Sequence, residues 1–274
     1  MTRSYLNNIE YFLPPIKKNN IKFLNSIGKD KKRIQKIIEK VGVIQRSVSD
    51  NKTFSNDLAL RSALKIFKKI NKKKVDYLIN CTQTPEYLIP TNACILQNKL
   101  KLKKDIGALD INLGCSGFIY LLSLAKALVS SKISKNVLLI TSDTYSKLID
   151  NNDLGTKLIF SDAASSSLVS KEKKKDSLEI IDFEFGTDGN GYKDFICDNF
   201  GSKSFLNKNE IKPKINMNGS KIFEFTLNTI PEFTLKFLKK NKIIKNKIKY
   251  YFFHQASKLV LENLQKKLKI SDEK

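Results

Sequence analysis

The sequence predicts an α/β protein built from two related halves, and three observations lead to that reading. Apolar runs of strand length alternate with amphipathic segments of helix length. The strand candidates are apolar almost throughout, as strands of a largely parallel sheet covered on both faces must be. One helix–strand–helix succession also occurs twice along the chain.

The elements follow in order. Residues 55–70 carry Leu58, Ala59, Ser62, Ala63, Ile66 and Phe67 on one helical stripe, and 75–81 (VDYLINC) is the strand after them. Residues 106–112 form another strand, and 118–130 an apolar helix. Then come strand candidates at 137–142 (VLLITS), 157–169 with a turn near Ser161-Asp162, 177–185, and 249–254 (KYYFFH). The succession 55–70 then 75–81 matches 228–243 then 248–254 at an offset of 173, and the helix 96–102 matches 264–270 at 168. This divides the chain into halves at 1–172 and 173–274. The first half runs on from its last matched helix into strand 106–112 and Cys115, whereas the second reaches Lys274 where the equivalent strand is due. By the repeat, the second half is expected to be about 60 residues short.

Composition narrows the class. An apolar content of 41% describes a folded protein, no apolar run reaches the ~18 residues of a membrane span, and residues 1–10 lack a signal-peptide core. A cytoplasmic protein that does not enter membranes is expected. The net charge of +23 rests on lysine, since arginine occurs only at positions 3, 33, 46 and 61. Arginine is the residue of bidentate phosphate and base contacts, so a nucleic-acid partner is not expected. The lysines reflect compositional bias, a basic face for an acidic partner, or both. Cys81, Cys94, Cys115 and Cys197 are dispersed and there is a single histidine, which disfavours a zinc site or a disulfide framework.

Two positions carry chemistry. In the run Asn112-Leu113-Gly114-Cys115-Ser116-Gly117-Phe118 a strand ends, two glycines permit a tight turn, and a buried helix begins. A thiol at a helix N-terminus feels the positive end of the dipole, an effect able to lower its pKa from about 8.5 to about 7. Spacing alone admits a reactive nucleophile and a buried structural cysteine equally. His254 closes the aromatic stretch before Gln255-Ala256-Ser257, at the carboxyl end of a strand where open α/β sheets place ligands. A packed or surface histidine fits that position as well.

The segment DINLGCSGFIY, residues 110–120, resembles the active-site segment of the ketoacyl-acyl carrier protein synthase III family. Phe253-His254-Gln255-Ala256-Ser257 resembles that family's Pro-His-Gln-Ala-Asn motif, and Val41-Gly42-Val43-Ile44-Gln45-Arg46 its Thr-Gly-Ile-x-x-Arg. Asp153-Leu154-Gly155-Thr156 with Phe160-Ser161-Asp162 resembles Asp-Arg-Gly-Thr followed by Phe-Gly-Asp. Thr187-Asp188-Gly189 and Met217-Asn218-Gly219 follow in family order. The resemblance implies a thiolase-like fold, two α/β halves in a layered αβαβα arrangement, here with the second half incomplete. It also implies a homodimer acting in fatty acid or specialised acyl-chain biosynthesis.

For chemistry, the resemblance implies that Cys115 takes an acyl group from a thioester. His254 then assists a decarboxylative Claisen condensation with malonyl-acyl carrier protein. Coenzyme A or carrier-protein thioesters are substrates, and no resident cofactor or metal is implied. Arg46, Ser257 and Lys258 are expected at the substrate, with Lys258, Lys266 and Lys267 facing acidic acyl carrier protein. Ile89 is expected to reach into the partner subunit's acyl tunnel.

Departures from the pattern qualify this. The family's Gly-Asn-Thr-Ser segment does not occur in residues 1–274, so weak or absent condensation is expected of this chain. There is no tryptophan for adenine stacking, and Lys40 and Leu154 stand where the family has arginines, which favours a specialised or carrier-bound donor. The competing readings are a related acyltransferase acting on an amine or alcohol, and a catalytically impaired structural homologue.

Overall fold

The computed structural model describes residues 2–206 and 212–273. In chain order the elements begin β1 (Tyr5–Phe12), β2 (Ile16–Asn19), α1 (Asn20–Ser26), α2 (Lys31–Val41), β3 (Gln45–Val48), α3 (Ser55–Ile66) and β4 (Tyr77–Cys81). They continue α4 (Asn92–Lys99), β5 (Gly107–Ile111), α5 (Gly117–Ser130), β6 (Asn136–Asp143), α6 (Leu154–Lys157), β7 (Ala163–Ser170) and β8 (Leu178–Glu179). The last are β9 (Phe195–Cys197), β10 (Ile215–Met217), α7 (Gly219–Lys240) and α8 (Lys258–Leu268).

The chain forms two compact units, each discontinuous in sequence. The first holds Met1–Lys17, Ser47–Ser146 and Ser161–Phe183, and the second Lys18–Arg46, Lys147–Phe160 and Glu184–Lys274. The grouping follows contacts, which a repeat in the sequence does not report.

In the first unit a six-stranded sheet runs in the order β5-β4-β6-β7-β1-β8. Only β5, β4 and β6 are parallel; β7, β1 and β8 join antiparallel, so the sheet is mixed where a largely parallel one was expected. Side chains alternate through it. Leu78, Leu138 and Ile140 face Ala59, Ala63 and Ile66 of α3 and Ala93 and Leu96 of α4. Ile79, Cys81, Val137 and Leu139 face Leu121, Ala125 and Val129 of α5. Helices therefore cover both faces, as the apolar strand pattern requires. Each fully buried leucine or isoleucine contributes roughly 1.5–3 kcal/mol of transfer free energy.

Residues 157–169 differ from expectation. Asp153 accepts from the Gly155 and Thr156 backbone N–H groups and so starts the short helix α6, and the strand begins only at Ala163. At 177–185 only Leu178–Glu179 pairs as strand. Beyond it the Lys126 ammonium on α5 donates to the Ile180 and Ile181 carbonyls, replacing a ladder.

In the second unit α1, α2 and α6 enclose Leu24, Ile34 and Leu158, and β9 pairs antiparallel with β10. Glu184 is held below the usual carboxylate range by its bonded partner Lys240, with Lys236 adding to the effect. The strand expected at 249–254 is extended but pairs with no described strand. Its period of two survives: Tyr250 and Phe252 are exposed, while Tyr251 stacks on Phe253 at 6.1 Å. Aromatic alternation supplies the extended backbone, but a ladder partner is needed to make it a strand.

Candidate active site

Cys115 lies in the first unit, in the turn between β5 and α5, one residue before the Ser116 N-cap. The Gly117 amide donates to the Gly114 carbonyl at 2.9 Å, closing the turn. Both glycines are required by close approach and not by backbone angle. A Cβ on Gly117 would fall on the Cys81 sulfur, and one on Gly114 on the Gln83 amide oxygen. The nucleophile turn is thus seated on the end of β4, where the Cys81 thiol donates to the Leu113 carbonyl at 3.0 Å.

The same seat is fixed from below by Asp143 at the end of β6. One carboxylate oxygen accepts from Thr82 Oγ1 (3.0 Å), Gln83 N (2.8 Å), Thr84 N (3.0 Å) and Thr84 Oγ1 (2.9 Å). Tyr145 donates its hydroxyl to Gln83 Oε1, behind Gly114. Burial raises the Asp143 carboxyl to about 6, although the donors from Gln83, Thr84 and Thr82 pull it down.

The Cys115 side chain reaches solvent, yet desolvation by the surrounding protein raises its thiol pKa, and the Asp143 charge raises it further. This differs from the lowering expected of a helix N-terminus. Cys115 precedes the cap, and the charge of Asp143 opposes its ionisation. Cys81 is buried, and desolvation pushes it up to about 11.

His254 lies in the second unit, in the irregular segment before α8. His254 is exposed by surface area, yet desolvation by the protein around it lowers its imidazole pKa, which favours the neutral ring. Ser257 is the N-cap of α8, its hydroxyl accepting from Val260 N at 3.3 Å. Lys258 is exposed, 3.7 Å from Glu262, and its Cβ would stand 2.7 Å from a side chain on Gly42. That approach and a φ of 76° account for glycine at the end of α2.

Arg46 differs from its expected place at the substrate. Only 6% exposed, it donates to Asn20 Oδ1 at 2.9 Å and to the Phe160 carbonyl at 3.2 Å. Asn20 in turn donates to the Val43 and Leu158 carbonyls, both at 2.8 Å. Those bonds give the guanidinium a structural task inside the second unit. Ile89 is 83% exposed, beside exposed Tyr87 and Leu88 in the loop that follows β4. Sequence reading missed Asp143, Gln83 and Tyr145; the position of Asp143 at a strand end was the one available signal.

A mixed α/β unit with a solvent-reaching thiol on a strand-to-helix turn has the arrangement of an enzyme that forms a covalent intermediate on cysteine. Comparison with known proteins agrees. The family model of 3-oxoacyl-[acyl-carrier-protein] synthase III matches residues 109–189. The beta-ketoacyl-[acyl-carrier-protein] synthase III of Fusobacterium nucleatum is 35% identical over 240 residues, 86% of this chain and 72% of that protein. The enzyme of the same name from Campylobacter jejuni is 34% identical over 241 residues, 87% and 72% of the two chains. A crystal structure of a 3-oxoacyl-(acyl-carrier-protein) synthase III matches with a TM-score of 0.89 at 33% identity, over 99% of this chain and 84% of that one. The Burkholderia xenovorans synthase structure matches at 0.87 and 29% identity, over 99% and 78%. The chain belongs to the beta-ketoacyl-[acyl-carrier-protein] synthase III family and has its fold.

Proposed function

We propose that Cys115 is the acyl-accepting nucleophile of a decarboxylative condensation with malonyl-acyl carrier protein. The observation that carries it is the seat of Cys115: a solvent-reaching thiol on a glycine turn, ahead of a buried helix. Its thiolate attacks the thioester carbonyl, the acyl–sulfur bond forms, and the donor thiol leaves with the proton. The Cys115 backbone N–H offers a donor to the developing oxyanion. Neutral His254 donates to the enolate formed when malonyl-acyl carrier protein loses carbon dioxide; the enolate carbon then attacks the acyl-cysteine carbonyl, and the carbon–sulfur bond breaks to return the Cys115 thiolate.

Coenzyme A and carrier-protein thioesters are substrates in this reading, and no resident cofactor is required. Lys258, Lys266 and Lys267 on α8 suit an acidic carrier protein. Ser257 acts through its cap on α8. A homodimer fits the first unit, where β5 is an edge strand and Tyr87, Leu88 and Ile89 expose apolar surface. In this reading the reaction takes place in the cytoplasm; no described helix is long and apolar enough to cross a membrane.

Intact-mass spectrometry tests the reading. Residues 1–274 incubated with acyl-CoA, or with acyl-acyl carrier protein, are expected to gain one acyl group, and Cys115→Ala to gain none. Loading of the alanine variant, or no loading of the wild type from either donor, overturns it. Carbon dioxide release from malonyl-acyl carrier protein is expected to fall about 100-fold in His254→Ala. Acyl transfer to an amine or alcohol without carbon dioxide release would support the related acyltransferase instead. Residues 1–274 are expected to load faster than they condense, because the family's Gly-Asn-Thr-Ser segment does not occur among them.

A further inference from the structure

We propose that Asp143 is a positioning residue for Cys115: its carboxylate, accepting four bonds from the loop after β4, sets the place and the surroundings of the sulfur through the turn seated on that loop. The proposal rests on the reading of Cys115 as the acyl acceptor.

Three connected observations support it. The four donors on one Asp143 oxygen come from Thr82, Gln83 and Thr84, the first residues after β4. Thr144 N also donates to Thr84 Oγ1 at 2.9 Å, so the ends of β4 and β6 are stitched together at successive residues. Next, the contacts that fix the turn fall on this same segment: Gly117 lies against Cys81, and Gly114 against Gln83 and Tyr145. Displacing the loop therefore displaces the residues on both sides of Cys115. Finally, the Asp143 carboxylate opposes ionisation of both Cys115 and Cys81.

The titratable groups around this point in the first unit are Cys81 on β4, Asp110 on β5, Cys115 on its turn, and Tyr145 after β6. Asp110 is committed elsewhere, accepting from Asn92 N at 2.6 Å and Ala93 N at 2.7 Å at the start of α4. Asp143 is the carboxylate whose charge acts on the Cys115 sulfur. A resting thiol is less prone to oxidation and alkylation than a thiolate.

The test is the pH profile of Cys115 alkylation by iodoacetamide, with the modified cysteine identified by peptide mapping. Asp143→Asn keeps an oxygen that accepts from the loop but removes the charge. Its profile is expected to move to lower pH by about one unit. Asp143→Ser also keeps an acceptor and is expected to move the same way, so the outcome does not hang on one variant folding. Asp143→Ala removes the acceptor, and acyl loading is expected to fall at least tenfold below that of Asp143→Asn at equal thiolate fraction. Acyl loading by Asp143→Ala equal to that of Asp143→Asn at equal thiolate fraction, or profiles of the Asn and Ser variants that superimpose on the wild type, would overturn the proposal. Failure of the wild type to load an acyl group overturns the nucleophile reading instead, and leaves the alkylation profiles to decide the electrostatic role alone.

Discussion

Gly117→Ala is expected to reduce the rate of acyl loading on Cys115 by about 100-fold, and Cys81→Ala introduced with it to restore most of that rate. The added methyl would fall on the Cys81 sulfur, a buried atom held by its bond to the Leu113 carbonyl. Neither side can move freely. Cys81 is in the middle strands of the sheet, register-paired to Ile111 and Thr141, and the turn must close within three residues of Leu113. Overpacking of this kind costs about 1–3 kcal/mol, and a nucleophile displaced by about 1 Å loses on the order of 100-fold. Removing the sulfur leaves the Cys81 Cβ at 3.9 Å from the new methyl, an ordinary contact. Single-turnover loading of the two single variants and the double variant gives the coupling directly. Equal rates for Gly117→Ala with and without Cys81→Ala would show that the glycine serves another purpose.

The central features of this site were legible because they are local. Strand 107–111, the glycine turn and the helix from Gly117 follow one another without interruption, and the burial pattern of α5 is written in its own leucines. Strands β4 and β6 were legible for a related reason: both lie inside the sheet and are apolar on both faces, so their sequences show it. The repeat placed α4 and α8 correctly as helices near 96 and 264.

Other elements depend on partners that a sequence does not name. Strand β1 reads YLNNIEYF, with two asparagines in its middle, and was not expected. It is a strand because β7 and β8 pair with it on either side. Strand β7 is rich in serine, and it can be buried only because those hydroxyls meet others: Ser166 with Ser62 at 2.7 Å, Ser165 with Thr141 at 2.8 Å. Residues 249–254 show the reverse case, a strong strand pattern without a described partner to pair with. Asp143 escaped notice because its importance lies in four donors from a segment about sixty residues away in sequence, a distance no local pattern spans.

Arg46→Ala is expected to destabilise the second unit by about 3–5 kcal/mol while leaving the apparent affinity for the acyl thioester unchanged in molecules that remain folded. A guanidinium at 6% exposure cannot turn outward to a substrate without abandoning Asn20 and Phe160. Its loss leaves the Asn20 amide oxygen and the Phe160 carbonyl without those donors in a region closed to water, the circumstance in which removing one partner is most costly. The damage would spread, because Asn20 is fully buried and ties Val43 to Leu158 through its amide nitrogen. Arg46→Lys keeps the charge but lacks the planar fork that serves two acceptors in different directions, so it is expected to recover only part of the stability. Thermal unfolding measured beside the substrate dependence of acyl loading separates the two roles. A rise in apparent KM at unchanged melting temperature would place Arg46 at the substrate after all; a fall in melting temperature at unchanged KM would establish it as the internal lock that its hydrogen bonds describe.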